Sequence, residues 1–336
     1  HTREISSVSF SRDGTRLVTG AEDSTARVWE ASTGLVLNSM AGHTDGITSV
    51  SFSRDGACLV RGSSDRTARV WEMSTGRVLQ TLEGHTSEVS SVSFASDDTR
   101  VVTGSRDWAA RVWEASTGRL LQTLEVDEAL ILSASFSPDG TRLVTGSSDR
   151  TARIWDVSTG RLIMTLEGNR NPINWVSFSS DGARLVTGGL DGTARVWEAS
   201  SGRLLHTMVG QSGENYSVAF SPDGTRLVTG SRDWMARVWE LSTGRLIKTL
   251  QGHTSGISSV SFSPGGTRLV TGSLDRRARV WDVSTGRLLQ TLAGHSGDIL
   301  SVSFSRDGTR VVTGSRDRTA RVWEVSTGRL LRTLAG

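Results

Sequence analysis

The apolar positions of this chain fall in short alternating runs, not at helical spacing. In "ISSVSF" (257–262), Val260 and Phe262 lie on one side and small serines on the other. The turn "SPGG" follows, then "TRLVTG" (267–272), the turn "SLDR", "ARVWDV" (278–283), the turn "STG" and "RLLQTL" (287–292). Such runs, each closed by turn residues, predict short strands in a four-stranded antiparallel meander. The first turn is mostly Asp-Gly elsewhere, a strong hairpin signal. Asp98 takes the glycine's place once, and aspartate tolerates the left-handed conformation better than most residues.

Both faces of such a meander are apolar or small, so one unit cannot bury itself. Units stacked face to face around an axis solve that problem and leave only short sheet edges. The chain has the units to do so. Trp29, Trp71, Trp113, Trp155, Trp197, Trp239, Trp281 and Trp323 stand 42 residues apart, and eight units of 42 account for all 336 residues. A period of this size marks a solenoid, a propeller or another array, and stacking around an axis favours the propeller. The predicted fold is all-β, an eight-bladed β-propeller in one domain (1–336). Its blades are 1–42, 43–84, 85–126, 127–168, 169–210, 211–252, 253–294 and 295–336.

The stretch "GHTSGISSVSFSPGGTRLVTGSLDRRARVWD" (252–282) resembles the WD-repeat propeller family, and the resemblance extends over all eight units. Most units carry Glu after the tryptophan, with Asp only at Asp156 and Asp282. The resemblance implies a structural tetrad, here His253, Thr271, Asp275 and Trp281. Its histidine bridges the turn aspartate and a strand hydroxyl, and that hydroxyl reaches the indole N–H. Blades 1, 3, 7 and 8 keep all four residue types. Blade 2 has Arg61 at the hydroxyl position, and blades 4 to 6 replace the histidine with Asp127, Asn169 and Gln211. In this register His1 aligns with His43 and Gly336 with Gly84. Each blade is then one continuous stretch, and the expectation is that blades 1 and 8 meet by face packing alone. That register fits a piece trimmed from a longer chain or a deliberate design.

Composition narrows the function. The pI near 9.9 suggests nucleic acid, yet the formal charge is only +3, and Lys248 is the one lysine among 38 basic residues. The arginines recur evenly and form no basic face, which argues against a nucleic-acid partner. No apolar run is long enough for a membrane span, and the single cysteine, Cys58, excludes an internal disulfide. A reduced, cytoplasmic setting is the expectation.

No nucleophile elbow, phosphate loop or zinc spacing occurs, so no catalytic residue, metal or cofactor is expected. Five of the six histidines take the tetrad position, and His206 falls in a fourth strand. The arginine two residues before each repeated tryptophan is read as a packing or ion-pair residue.

In a repeat protein the consensus describes scaffold, and departures are where specific function can reside. The resemblance implies contacts on the face carrying the tetrad loops. The departures gather in blades 3 to 6: Arg106, Trp108, Leu130, Leu132, Pro172, Asn174, Leu190, Tyr216, Arg232 and Trp234, with Arg316 in blade 8. Arg, Trp and Tyr are enriched at binding hot spots. Trp108 and Trp234 are expected at exposed turn tips. Trp175 replaces a small serine and is either a buried gap-filler or a contact. The expected function is a non-enzymatic scaffold, a monomeric ring that binds a protein or peptide. The alternative is an engineered or recently amplified propeller with no evolved partner.

Overall fold

The computed structural model describes residues 1–11, 13–209 and 215–335, with the backbone alone at Asn215 and Tyr216. In the first blade, β1 (Ile5–Phe10), β2 (Arg16–Ala21), β3 (Ala26–Glu30) and β4 (Val36–Met40) pair in sequence order as one antiparallel sheet. Seven further sheets repeat this arrangement, each from four consecutive strands, and no strand is shared between sheets. The described residues include no helix. The fold is an eight-bladed β-propeller.

Boundaries move by about one residue from the pattern. The second, third and fourth strands of blade 7 are Arg268–Ser273, Arg277–Asp282 and Leu288–Ala293. The shift is physical, because the residue before the second strand, a threonine in six of the eight blades, belongs to the first turn. In blade 8, for example, the Thr309 N–H and hydroxyl both bond the Asp307 carboxylate.

The chain packs as two compact units. One comprises 1–39, 192–194 and 206–336, and the other comprises 40–191 and 195–205. Within each unit, apolar clusters form where consecutive blades meet. Between blades 4 and 5, Val144, Ala152, Ile154 and Leu166 pack on Ile173, Val176, Phe178, Leu185 and Trp197. Adjacent strand residues face opposite ways, so Leu143 joins the cluster on the other side, with Leu124, Phe136 and Trp155. This arrangement explains why both faces of each repeat are apolar. In the first unit, Ile5, Val8, Phe10, Leu17 and Trp29 pack on Val312, Ala320, Val322 and Leu334, so blade 1 meets blade 8 face to face.

Every first strand carries a bulge near its start. In blade 7, Ile257 pairs with Ser273 and Ser259 with Gly272, which leaves Ser258 as the extra residue. A bulge re-aims its side chain. The Ser258 hydroxyl donates to the Gly272 carbonyl at 3.1 Å within its blade and also to Ile299 in the next. Ser90 does the same toward Gly104 and Ile131, and Thr48 reaches Val89. One residue further on, a serine hydroxyl accepts the N–H of the next blade, as with Ser133 and Val176 at 3.3 Å.

Candidate functional site

The tetrad positions form buried hydrogen-bond chains. In blade 7, His253 Nδ1 lies 2.8 Å from Asp275 and Nε2 lies 2.7 Å from the Thr271 hydroxyl, which accepts from Trp281 Nε1 at 2.9 Å. The His85–Asp107, His85–Thr103 and Trp113–Thr103 contacts of blade 3 repeat these distances to within 0.2 Å. Blades 1 and 8 have the same chain on His1 and His295. Burial holds the His85 and His253 imidazoles below the ordinary value, so they are neutral. A neutral ring with its Nδ1–H on aspartate accepts from the threonine through Nε2. Burial alone would raise Asp107 and Asp275, but hydrogen bonds from the histidine and arginine outweigh it and hold both carboxyls low.

In blades 3 to 7 the repeated arginine is a fifth member, bonded to the turn aspartate. Arg279 Nη1 lies 2.8 Å from Asp275, Arg237 Nη2 lies 2.8 Å from Asp233, and Arg153 Nη2 lies 2.7 Å from Asp149. Where blade 5 has Asn169 for histidine, the Asn169 oxygen accepts from Arg195 at 2.7 Å. Where blade 4 has Asp127, that residue is exposed, and Asp149 is opened to 27% against 2% for Asp275.

Two of the candidate position sets lie side by side within a blade. The residue before the turn aspartate hydrogen-bonds, through its N–H, the carbonyl two residues before the bulge: Arg106 to Glu88, Ser148 to Leu130, Leu190 to Pro172, and Arg316 to Asp298. Two of these pairs also meet through their side chains. Arg106 lies 3.6 Å from Glu88. Arg316 lies 2.9 Å from Asp298 and 3.1 Å from Glu4 of blade 1, so it joins blades 8 and 1. These pairings were legible as acid–arginine matches eighteen residues apart.

Trp108 and Trp234 follow the turn aspartate and are 49% and 54% exposed. Both sit in the left-handed region, at φ +71° and +73°. Ser24, Arg66, Arg150, Arg276 and Arg318 share that conformation at the same turn position, and Gly192 takes it in blade 5. The lone glycine was the sequence signal for it. Trp175 is 38% exposed, and the indole replaces a serine hydroxyl that accepts from the next blade elsewhere. Leu130 and Leu190 are half-buried loop residues. Leu132 and Asn174 are half-buried at the bulge, where other blades place a bridging hydroxyl.

The candidates thus divide between the units. Arg106, Trp108, Leu130, Leu132, Asn174, Trp175 and Leu190 belong to one, and Arg232, Trp234 and Arg316 to the other. The Tyr216 side chain, Gln211 and Glu214 lie outside the described residues.

Two half-open grooves of about 590 Å³, one in each unit, lie elsewhere. Their linings are Asp-Gly turns and neighbouring charges such as Asp139, Arg142, Asp181 and Glu198, at the blade end away from Trp108. Similar linings recur at several seams, so these grooves follow the repeat. No group of three potential metal ligands occurs among the described residues, and no helix is long and apolar enough to cross a membrane.

This geometry defines a WD-repeat propeller. The family model for the WD domain, G-beta repeat, matches residues 1–30, 34–72, 76–114, 118–156, 160–198, 202–240, 244–282 and 286–324. The chain belongs to the WD-repeat family. Its matched segments end just after each repeated tryptophan, so the family's sequence unit straddles consecutive blades. No curated protein matches the chain. Among solved structures it is similar to the computationally designed Ika8 protein, at 32% identity and a TM-score of 0.87, over 97% of each chain.

Proposed function

We propose that the chain is a non-enzymatic recognition scaffold that binds a protein or peptide through the loops beside its turn aspartates. The surface we assign lies on blades 3 to 5: Trp108 with Arg106, then Leu130, then Leu190 with Pro172, with Trp175 at its margin. One observation carries the reading, the exposed Trp108 held at φ +71°. A bulky residue in that region is strained by about 1–2 kcal/mol, and exposure returns little of this through packing. Other blades carry Ser, Arg or Gly in the same left-handed turn, so the strain is shared, and it is the exposed aromatic ring that supports a role beyond folding. An apolar run beside it supplies the desolvated contact that aromatic anchors use. Family membership supports the same class of function.

A second reading is a propeller of near-uniform repeats with no evolved partner. The likeness to a designed protein supports it weakly. A random-peptide display selection on the full chain separates the two. The first predicts a motif that is enriched by the wild type and lost with Trp108→Gly and Leu190→Ser. No enriched motif, or the same motif from every variant, favours the second.

A further inference from the structure

Blade 2 departs from the tetrad in a way that carries charge into the core. Arg61 takes the place of the threonine and has no exposure. Its guanidinium carbon stacks 4.1 Å above the Trp71 ring, and Nη1 donates to the Met40 carbonyl at 3.0 Å. Five buried polar atoms without a partner gather in this one blade: Arg61 Nε and Nη2, Arg69 Nε, Trp71 Nε1 and His43 Nε2. Elsewhere a single threonine oxygen joins the last two, as Thr103 does at 2.7 and 2.9 Å.

The charges do not balance. The charged and titratable groups facing Arg61 are Arg69, Asp65 and His43. Asp65 already accepts from the Thr67 hydroxyl, the Thr44 N–H and His43 Nδ1. Burial pushes His43 down to about 4, so it adds no charge near neutrality. Two guanidinium groups thus face one committed carboxylate. Burial of an uncompensated cation is costly, and a bound counter-ion relieves it.

We propose that the tetrad of blade 2 is a binding site for one small monovalent anion of halide size, held by Arg61, Arg69 and Trp71. The N–H groups of these residues supply the donors. Small size follows from burial, since Arg61 has no exposure and an anion with several oxygens would need more partners than these donors supply. Monovalence follows from the excess of one positive charge. His43 Nε2 presents a lone pair there, so anion uptake favours its protonation, and binding is stronger at pH 5 than at pH 8.

The test is thermal melting of the full chain in sodium chloride and in sodium gluconate at equal ionic strength, for wild type and Arg61→Thr. Chloride is expected to raise the wild-type midpoint by about 2 °C or more and leave the variant unmoved. Equal shifts in both proteins, or none, overturn the proposal. A sulfate arm that stabilises more than chloride overturns the assignment of size. Chloride-35 line broadening gives a direct readout, expected for wild type and absent in Arg61→Thr. Arg61→Met removes the charge at similar length and serves if the threonine variant does not fold.

Discussion

Two tryptophans five positions apart divide the residue scale. Trp113 is buried, and its Nε1–H closes the chain from Thr103 to His85 and Asp107. Trp113→Ala removes that anchor and leaves polar groups unpaired, at a cost of about 3–5 kcal/mol. The check is a denaturation curve, and a midpoint change under about one degree contradicts the tetrad role. Trp108→Gly removes an exposed ring and a left-handed strain, so stability should hold or rise by up to about 1 kcal/mol. The sequence showed which tryptophan repeats and which does not. It did not show φ, because six other residues besides the two tryptophans occupy the position and only Gly192 hints at it.

Protonation acts at the same scale. Because burial holds His43, His85 and His253 below 6.5, the unfolded chain takes up their protons first. The stability they contribute is complete above about pH 6.5 and falls as pH drops toward 4. The tetrad carboxylates shift the other way. Burial would raise Asp65, but hydrogen bonds from Thr67 and the Thr44 N–H hold it at about 2. Such groups lose their contribution only as pH falls from about 3.9 through the depressed folded values. Melting midpoints should therefore decline between pH 7 and 5 and more steeply below 4. A flat profile from pH 7 to 5 contradicts the histidine part.

Within each element, the first-strand bulge decides what a side chain can do. Ser90 and Ser258 use it to bond their own sheet and the next. Leu132 lacks that hydroxyl and sits half-buried, so its place in the candidate surface is weaker than its sequence rarity suggests. Ser90→Ala should cost about 1 kcal/mol in urea denaturation, and no loss contradicts the bridging role. The alternation of apolar residues made the strands legible. The extra residue was not, because a bulge leaves the alternation intact on either side of it. Asp98 shows the same limit. Its left-handed backbone, at φ +60°, was legible from the glycine it replaces, but not its carboxylate, which accepts the Arg54 and Asp55 N–H groups of blade 2.

At the scale of the molecule, paired apolar faces hold neighbouring blades of a unit together, and polar links add to them. The seam of blades 8 and 1 shows both. Phe10 belongs to its apolar cluster, whereas Arg316 bridges Glu4 and Asp298 from a half-exposed position. Phe10→Ala should cost about 3–5 kcal/mol. Arg316→Ala should cost no more than about 1 kcal/mol, and less in high salt. Comparable losses from both would show that face packing does not dominate at this seam.

Repeated residues build the scaffold, and the proposal gives recognition to the rare exposed ones. Melting of Trp113→Ala and Trp108→Ala beside wild type, each with and without a display-selected peptide, tests it most directly. Trp113→Ala is expected to melt far lower. Trp108→Ala should melt like wild type and lose the peptide-induced rise in midpoint. A Trp108→Ala protein that keeps the full rise, or that melts as low as Trp113→Ala, contradicts the claim.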